Sequence, residues 1–332
     1  MPAPPGGEEA GKRNMVEMVR TVAESQLPVD EALKIRKMRY IGTPSSEDAH
    51  LPRISLVTGI HGDELEGQYV AYQVGKILRE NPDKLTGIVD IYPAMNPLGI
   101  DCIMRGIPGF DLDMNRTFPG YANGNMFEAL GAQIVKDVMG SDLVLDIHSS
   151  NIFLTEIPQI RINVLQKKEL LPYAKEANVD LLWVHEDSPS LRSTFAYSLN
   201  SRGTKTLVVE MGVGMRITKS LGHQLLDGIF NIMSVMGIWQ GDRPSDIRTP
   251  IIADDPERVE FLNAPVSGIF IKDLDVGTHV SAGDRIGRVV DPLEGKMKAF
   301  IASPCEGLLF TTREYPVVNE GSLMGRILRD KA

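Results

Sequence analysis

The chain has 332 residues, 42% of them hydrophobic and 24% charged, and a formal net charge of -9. The length fits one large domain with a small one beside it, and the composition is that of an ordinary globular protein. An acidic balance argues against a general nucleic-acid binder, which carries a basic patch, but it leaves room for an anionic substrate, because the field inside a site is local.

The opening stretch "MPAPPGGEEAGKRN" lacks the apolar segment of a secretory signal, and no run in the chain approaches the ~20 apolar residues of a membrane span. A cytoplasmic protein without membrane contact is expected, with residues 1–20 loose because Pro, Gly and Glu dominate their start. Cys102 and Cys305 lie far apart and have no CxxC partner, which points to free thiols.

From Arg53 to about Gly241 the pattern alternates. Apolar runs suited to buried strands are "ISLVTG" ending at Gly59, "GIVDIYPAMN" (87–96), "SDLVLDIHSS" (141–150), "RINVLQ" (161–166) and "KTLVVEMG" (205–212). Between them, residues 63–80, 126–140 and 219–238 carry apolar positions near helical spacing. Strands alternating with helices predict an α/β sheet covered on both faces. This catalytic unit is assigned to residues 1–245.

Around 240–260 Pro, Asp and Arg take over, as in a linker, and beyond it come short apolar runs punctuated by Gly. Residues 246–332 are therefore expected to form a small all-β domain. It contains a repeat: "APVSGIF" (264–270) returns as "SPCEGLL" (303–309), and "AGDRIGRVV" (282–290) as "EGSLMGRIL" (320–328). Gly268 aligns with Gly307, Gly287 with Gly325 and Arg288 with Arg326, as in two quasi-symmetric halves of one barrel or sandwich.

The chemistry-bearing residues gather at strand ends. In "GIHGDELEG", His61 and Glu64 stand three apart. On a helix beginning near Gly62 they would share a face and offer an imidazole nitrogen and a carboxylate oxygen to one ion, a set that suits zinc. HxxE alone is weak evidence, since a chain with six His and many Glu makes it by chance. "LVLDIHSS" adds His148 at the end of another strand, where a buried polar group needs a partner and where ligands of open α/β sheets gather. Two His and one Glu would leave a fourth zinc position open. "TLVVEMG" brings Glu210, suited to act as a base beside such an ion. Asn115 and Arg116 lie in the Gly/Pro-rich stretch "RGIPGFDLDMNRTFPG" with Arg105 at its start, and paired guanidinium groups there imply an anionic substrate or an oxyanion. Asp146 would share a strand face with His148 and either orient its imidazole or serve the fold. Asp111 and Asp113 read as turn-formers, and His185 and His223 as ordinary.

The stretches "GIHGDELEG", "DLDMNRTFPG", "LDIHSS" and "VVEMG", in this order over roughly residues 53–215, together resemble the succinylglutamate desuccinylase/aspartoacylase family of the zinc carboxypeptidase-like group. The resemblance implies a mixed sheet flanked by helices and one zinc ion held by His61, Glu64 and His148. It further implies Glu210 as the general base, Asn115 and Arg116 on the substrate carboxylate, and Arg105 polarising the scissile carbonyl of a small N-acyl amino acid. Aspartoacylases carry H-G-N-E where this chain has H-G-D-E, with Asp63; "MGVGMRI" after Glu210 is closer to bacterial deacylases and deacetylases of small N-acyl amino acids, including the ectoine-degradation deacetylases of N-acetyl-diaminobutyrate. The tail resembles the biotinyl/lipoyl carrier fold, in which Lys296 of "EGKMKAFIASP" would be the modified residue, although Gly295 stands where carriers have Met. Reuse of that fold as a rigid appendage shaping the active-site mouth or joining subunits is the main expectation. A metallocarboxypeptidase acting on peptides, a carrier and a non-catalytic binding protein stay open as alternatives, as do Fe, Co or Mn at the same ligands and assembly into a homo-oligomer. Serine-hydrolase chemistry has no support, since there is no GxSxG elbow.

Overall fold

A computed structural model describes residues 15–27, 29–43 and 51–331. The first strands are β1 (Val16–Gln26) and β2 (Ala32–Ile41), an antiparallel pair. Residues 16–20, expected to be loose, thus belong to a strand; they are held by register pairs such as Arg20 with Lys37. Residues 1–14 lie outside the described part. Along β2, Leu33, Ile35 and Lys37 are buried while Lys34 and Arg36 face out, the alternation of a half-covered sheet.

The α/β pattern then follows, with β3 (Arg53–Thr58), α1 (Glu66–Glu80), β4 (Ile88–Tyr92), α2 (Pro97–Cys102), α3 (Met126–Val138), β5 (Leu143–Ser149) and β6 (Leu154–Asn163). Next come α4 (Lys167–Ala174), β7 (Leu181–His185), α5 (Phe195–Asn200), β8 (Thr206–Gly212) and α6 (Lys219–Val235). Four of the five predicted strands and all three predicted helices are present; the strand predicted over 161–166 overlaps β6 only at 161–163, and residues 164–166 form a single 3-10 turn. β7, α2, α4 and α5 are additions, each too short to show a period in the sequence. β4, β3, β5 and β8 lie side by side in parallel, and β2 and β6 flank them antiparallel. One core cluster packs α1 and α6 on one face, through Val70, Val74, Leu225 and Ile229, and a second packs α3 on the other, through Phe127, Leu130 and Ile134.

Beneath the N-terminal hairpin lies a charged knot. The fully buried Asp90 of β4 accepts from Lys37, Arg39 and Arg53, and Lys37 also reaches Asp137. Burial opposes the charge on Asp90, but these cations overcome it and hold the carboxyl below its usual range. Asp90→Ala would leave buried cations uncompensated, and is expected to cost about 3–5 kcal/mol in urea unfolding.

The remaining strands are short: β9 (Ile251–Ala253), β10 (Val259–Asn263), β11 (Gly268–Lys272), β12 (His279–Val280), β13 (Arg285–Asp291), β14 (Lys296–Ala302), β15 (Gly307–Arg313), β16 (Val317–Val318) and β17 (Leu323–Arg329). The repeat is real and interlocked. β11, β12 and β13 match β15, β16 and β17, and each half lends its short middle strand to the other, with β11 pairing β16 and β12 pairing β15. The strands on either side of residue 245 share a sheet, because β9 joins β7 and β15 joins β6 at Leu154–Glu156. Both cysteines are free, and Lys296 is an exposed residue opening β14, bonded to Glu294. Among the described residues no helix is long and apolar enough to cross a membrane.

Candidate metal and substrate site

Three adjacent parallel strands deliver the central residues. Because β3, β5 and β8 run the same way, their carboxyl ends open on one edge of the sheet. His61 follows β3, His148 sits near the end of β5, and Glu210 is the register partner of His148 on β8. His61 and Glu64 do not share a helix face as expected. They lie on a turn closed by Glu64 N–H donating to the His61 carbonyl at 3.3 Å, and α1 starts only at Glu66. The turn is fixed from below, where Gly62 N–H donates to the Arg105 carbonyl. A Cβ on Gly62 would come within 2.0 Å of the Gly99 backbone, so only glycine fits.

His61, Glu64 and His148 nevertheless converge, with one ligand atom of each lying within 4.8 Å of the others, all three buried. His61 Nδ1 is 2.8 Å from Glu64 Oε1 yet forms no hydrogen bond, as when two lone pairs aim at a shared point. His148 Nδ1 is 2.8 Å from Glu64 Oε2. Behind each imidazole stands a carboxylate. His61 Nε2–H donates to Asp113 at 3.1 Å, and His148 Nε2 is 3.2 Å from Asp146. Both Nδ1 atoms therefore face Glu64; the Asp113 bond fixes the tautomer and ring angle of His61 as in metal-binding histidines, whereas His148 is hydrogen-bonded through Nδ1 to Glu64. A divalent cation preferring nitrogen and oxygen donors fits this set. Burial disfavours the Glu64 carboxylate, but the two histidines outweigh it and keep the group ionised well below the usual range. Asp113 is held low against burial in the same way, by His61 and Arg105.

Asp113 is more than the turn-former its sequence context indicates. It caps the turn at 114–116 by accepting from Asn115 N–H, and its other contacts reach His61 and Arg105. Asp63, by contrast, is buried with one carboxylate oxygen unpartnered, and burial pushes its pKa up.

These residues line a cavity of ≈ 250 Å³ that also exposes Arg105, Asn115, Arg116 and Glu210. Arg105 donates to Glu64 at 2.8 Å, beside the cluster. Asn115 is fixed by Phe195 N–H donating to its Oδ1, so its amide nitrogen is the end left for a ligand. Arg116 donates to the Asn115 carbonyl. Glu210 lies 3.1 Å from Arg161, and burial raises its carboxyl to about 7 against the pull of Arg161 and His148. His185 also lines the cavity, while His223 bonds Tyr69 outside its wall.

Glu156, Arg161 and Arg326 are cavity residues that sequence reasoning missed. Glu156 and Arg161 are an odd number apart, so a regular strand would send them to opposite faces. A bulge breaks the alternation: Glu156 pairs Gly212 and Gln159 pairs Glu210, three steps on β6 against two on β8. Pro158 within that interval was the one available sign.

The family model for the succinylglutamate desuccinylase/aspartoacylase catalytic domain matches residues 50–236. N-alpha-acetyl-L-2,4-diaminobutyric acid deacetylase of Halomonas elongata is 27% identical over 247 residues, 72% of this chain and 71% of that protein. The product-bound ectoine utilization protein EutE (DoeB) from Ruegeria pomeroyi superposes with a TM-score of 0.79 at 19% identity, covering 96% of each chain. A succinylglutamate desuccinylase/aspartoacylase from Rhodobacter sphaeroides gives 0.78 at 21% identity, covering 98% of this chain and 99% of that one. Since the catalytic-domain match spans more than half of its length, this chain belongs to the succinylglutamate desuccinylase/aspartoacylase family.

Proposed function

We propose that this protein is a zinc-dependent amidohydrolase that removes the acyl group from a small N-acyl amino acid. The observation that carries this reading is the meeting, in one cavity, of a buried His–Glu–His donor set, a half-buried carboxylate raised to about 7 and the Arg116 guanidinium beside a fixed amide. His61, Glu64 and His148 hold the metal. When bound, zinc supplies Lewis acidity and makes a water acidic enough to ionise near neutral pH. Glu210 takes the proton from the attacking water and returns it to the leaving amine, a role that suits a group titrating close to working pH. Arg116 and the Asn115 amide hold the amino-acid carboxylate. Arg105, on the Glu64 side of the cavity, steadies the oxygen of the scissile carbonyl as charge builds on it.

The test is amine release from acetyl, succinyl and formyl amino acids, beginning with N-alpha-acetyl-L-2,4-diaminobutyrate because of the relative at 27% identity. Release from at least one member supports the proposal. Release of C-terminal residues from peptides, with none from the acyl amino acids, would replace it with a metallocarboxypeptidase.

Two outcomes should accompany it. Asp113→Ala removes the carboxylate behind His61 and should weaken zinc binding about 10- to 100-fold in a chelator competition. The rate should also carry an acid limb. Glu210 works only when ionised, so kcat/KM is expected to fall as pH drops through about 7 and to level off above it.

A further inference from the structure

We propose that Arg326, from the second half of the C-terminal repeat, is a positioning residue for Glu210, acting through Glu156 and Arg161. Resting on the assignment of Glu210 as base, this makes the β-rich C-terminal strands part of the catalytic apparatus.

Four side chains of alternating charge form an unbroken row. Arg326 Nη1 donates to Glu156 Oε1 at 2.8 Å. Glu156 accepts from Arg161 Nη2 on both oxygens, at 3.0 and 2.8 Å. Arg161 Nη1 stands 3.1 Å from Glu210 Oε1, which is the ion pair of Glu210 among the described residues. Thr311 Oγ1 donates to the same Oε1 at 3.1 Å, so this carboxylate, 1% exposed, is held by three side chains.

The row transmits position because a guanidinium is a rigid planar fork. Fixing Arg161 Nη2 on Glu156 dictates where its Nη1 lies, and Nη1 is what meets Glu210. Stacking limits the other movements, since the Arg161 and Arg326 guanidinium carbons lie 5.6 and 5.4 Å from the Trp183 ring centroid, and that of Arg326 lies 5.6 Å from Phe261. Glu156 sits where β6 leaves β8 and meets β15, and Thr311 opposite it belongs to that junction. The repeat offers an internal comparison. Arg288, the counterpart of Arg326, pairs with Asp273 within its own half, whereas Arg326 reaches a residue of the catalytic sheet.

The experiment uses the full zinc-loaded chain and compares Arg326→Met, Glu156→Gln, the double variant and Glu210→Gln, each with kcat, KM, zinc content and melting temperature. Arg326→Met should lose about 10- to 100-fold in kcat, with KM within about twofold and zinc content unchanged. Once Glu156 is gone Arg326 has nothing to act through, so the double variant should be no slower than Glu156→Gln alone. An Arg326→Met protein with full kcat, or with its loss entirely in KM, overturns the proposal, as do losses that multiply in the double variant. If Arg326→Met does not fold, Glu156→Gln should by itself show the same kcat loss with KM and zinc content kept, and full activity in it overturns the proposal. Glu210→Gln separates the two levels. If it stays active the base assignment fails; if it is inactive while Arg326→Met is not, only this inference fails.

Discussion

Replacing Glu210 by Gln should lower kcat about 10²- to 10⁴-fold while leaving zinc content and KM nearly unchanged. Gln is close in shape to Glu and retains an oxygen facing Arg161, so the fold around β8 has little to repair. What disappears is the proton acceptor. The acid limb near pH 7 should vanish with it, because that limb is the ionisation of the Glu210 carboxyl, raised by burial to about 7. A variant that kept most of its turnover would remove Glu210 from the base role and leave its position beside His148 as a structural matter.

Replacing His148 by Ala is expected to take zinc below one per chain and to abolish turnover. The loss should exceed the about 10- to 100-fold expected for an outer partner such as Asp113, because two donors cannot close the site. It should also release Glu64. With one imidazole gone, burial is opposed only by His61 and Arg105 among these partners, so the Glu64 carboxyl should move up toward its ordinary range. Metal analysis beside a circular dichroism spectrum separates this from unfolding: full zinc occupancy in an inactive, folded variant would contradict the assignment.

Much of this site was legible because of where polar residues interrupt apolar runs. His148 closes "LVLDI" and Glu210 closes "TLVV", and parallel strands put such endings on one edge. The pairing of His61 with Glu64 was legible, but its scaffold was not. Three-residue spacing fits both a helix and a tight turn, and the choice was made by Gly62 packed against Gly99, a contact between distant segments. Asp113 was hidden for a related reason: its local sequence accounts for the cap on Asn115, while its bond to His61 spans 52 positions. Glu156 and Arg161 share a face only through a bulge, and Arg326 enters the cavity only because β15 joins β6. The N-terminal hairpin escaped notice since its outer strand is mostly exposed and shows no apolar period. The repeat was visible from its glycines, yet the exchange of β12 and β16 between halves lay beyond any pattern in the chain.

The most direct measurement is amine release from N-acyl amino acids by one preparation before chelation, after it, and after return of zinc. Turnover that is lost with the metal and restored by about one zinc per chain is the predicted result. Undiminished turnover in the fully stripped protein would contradict the account.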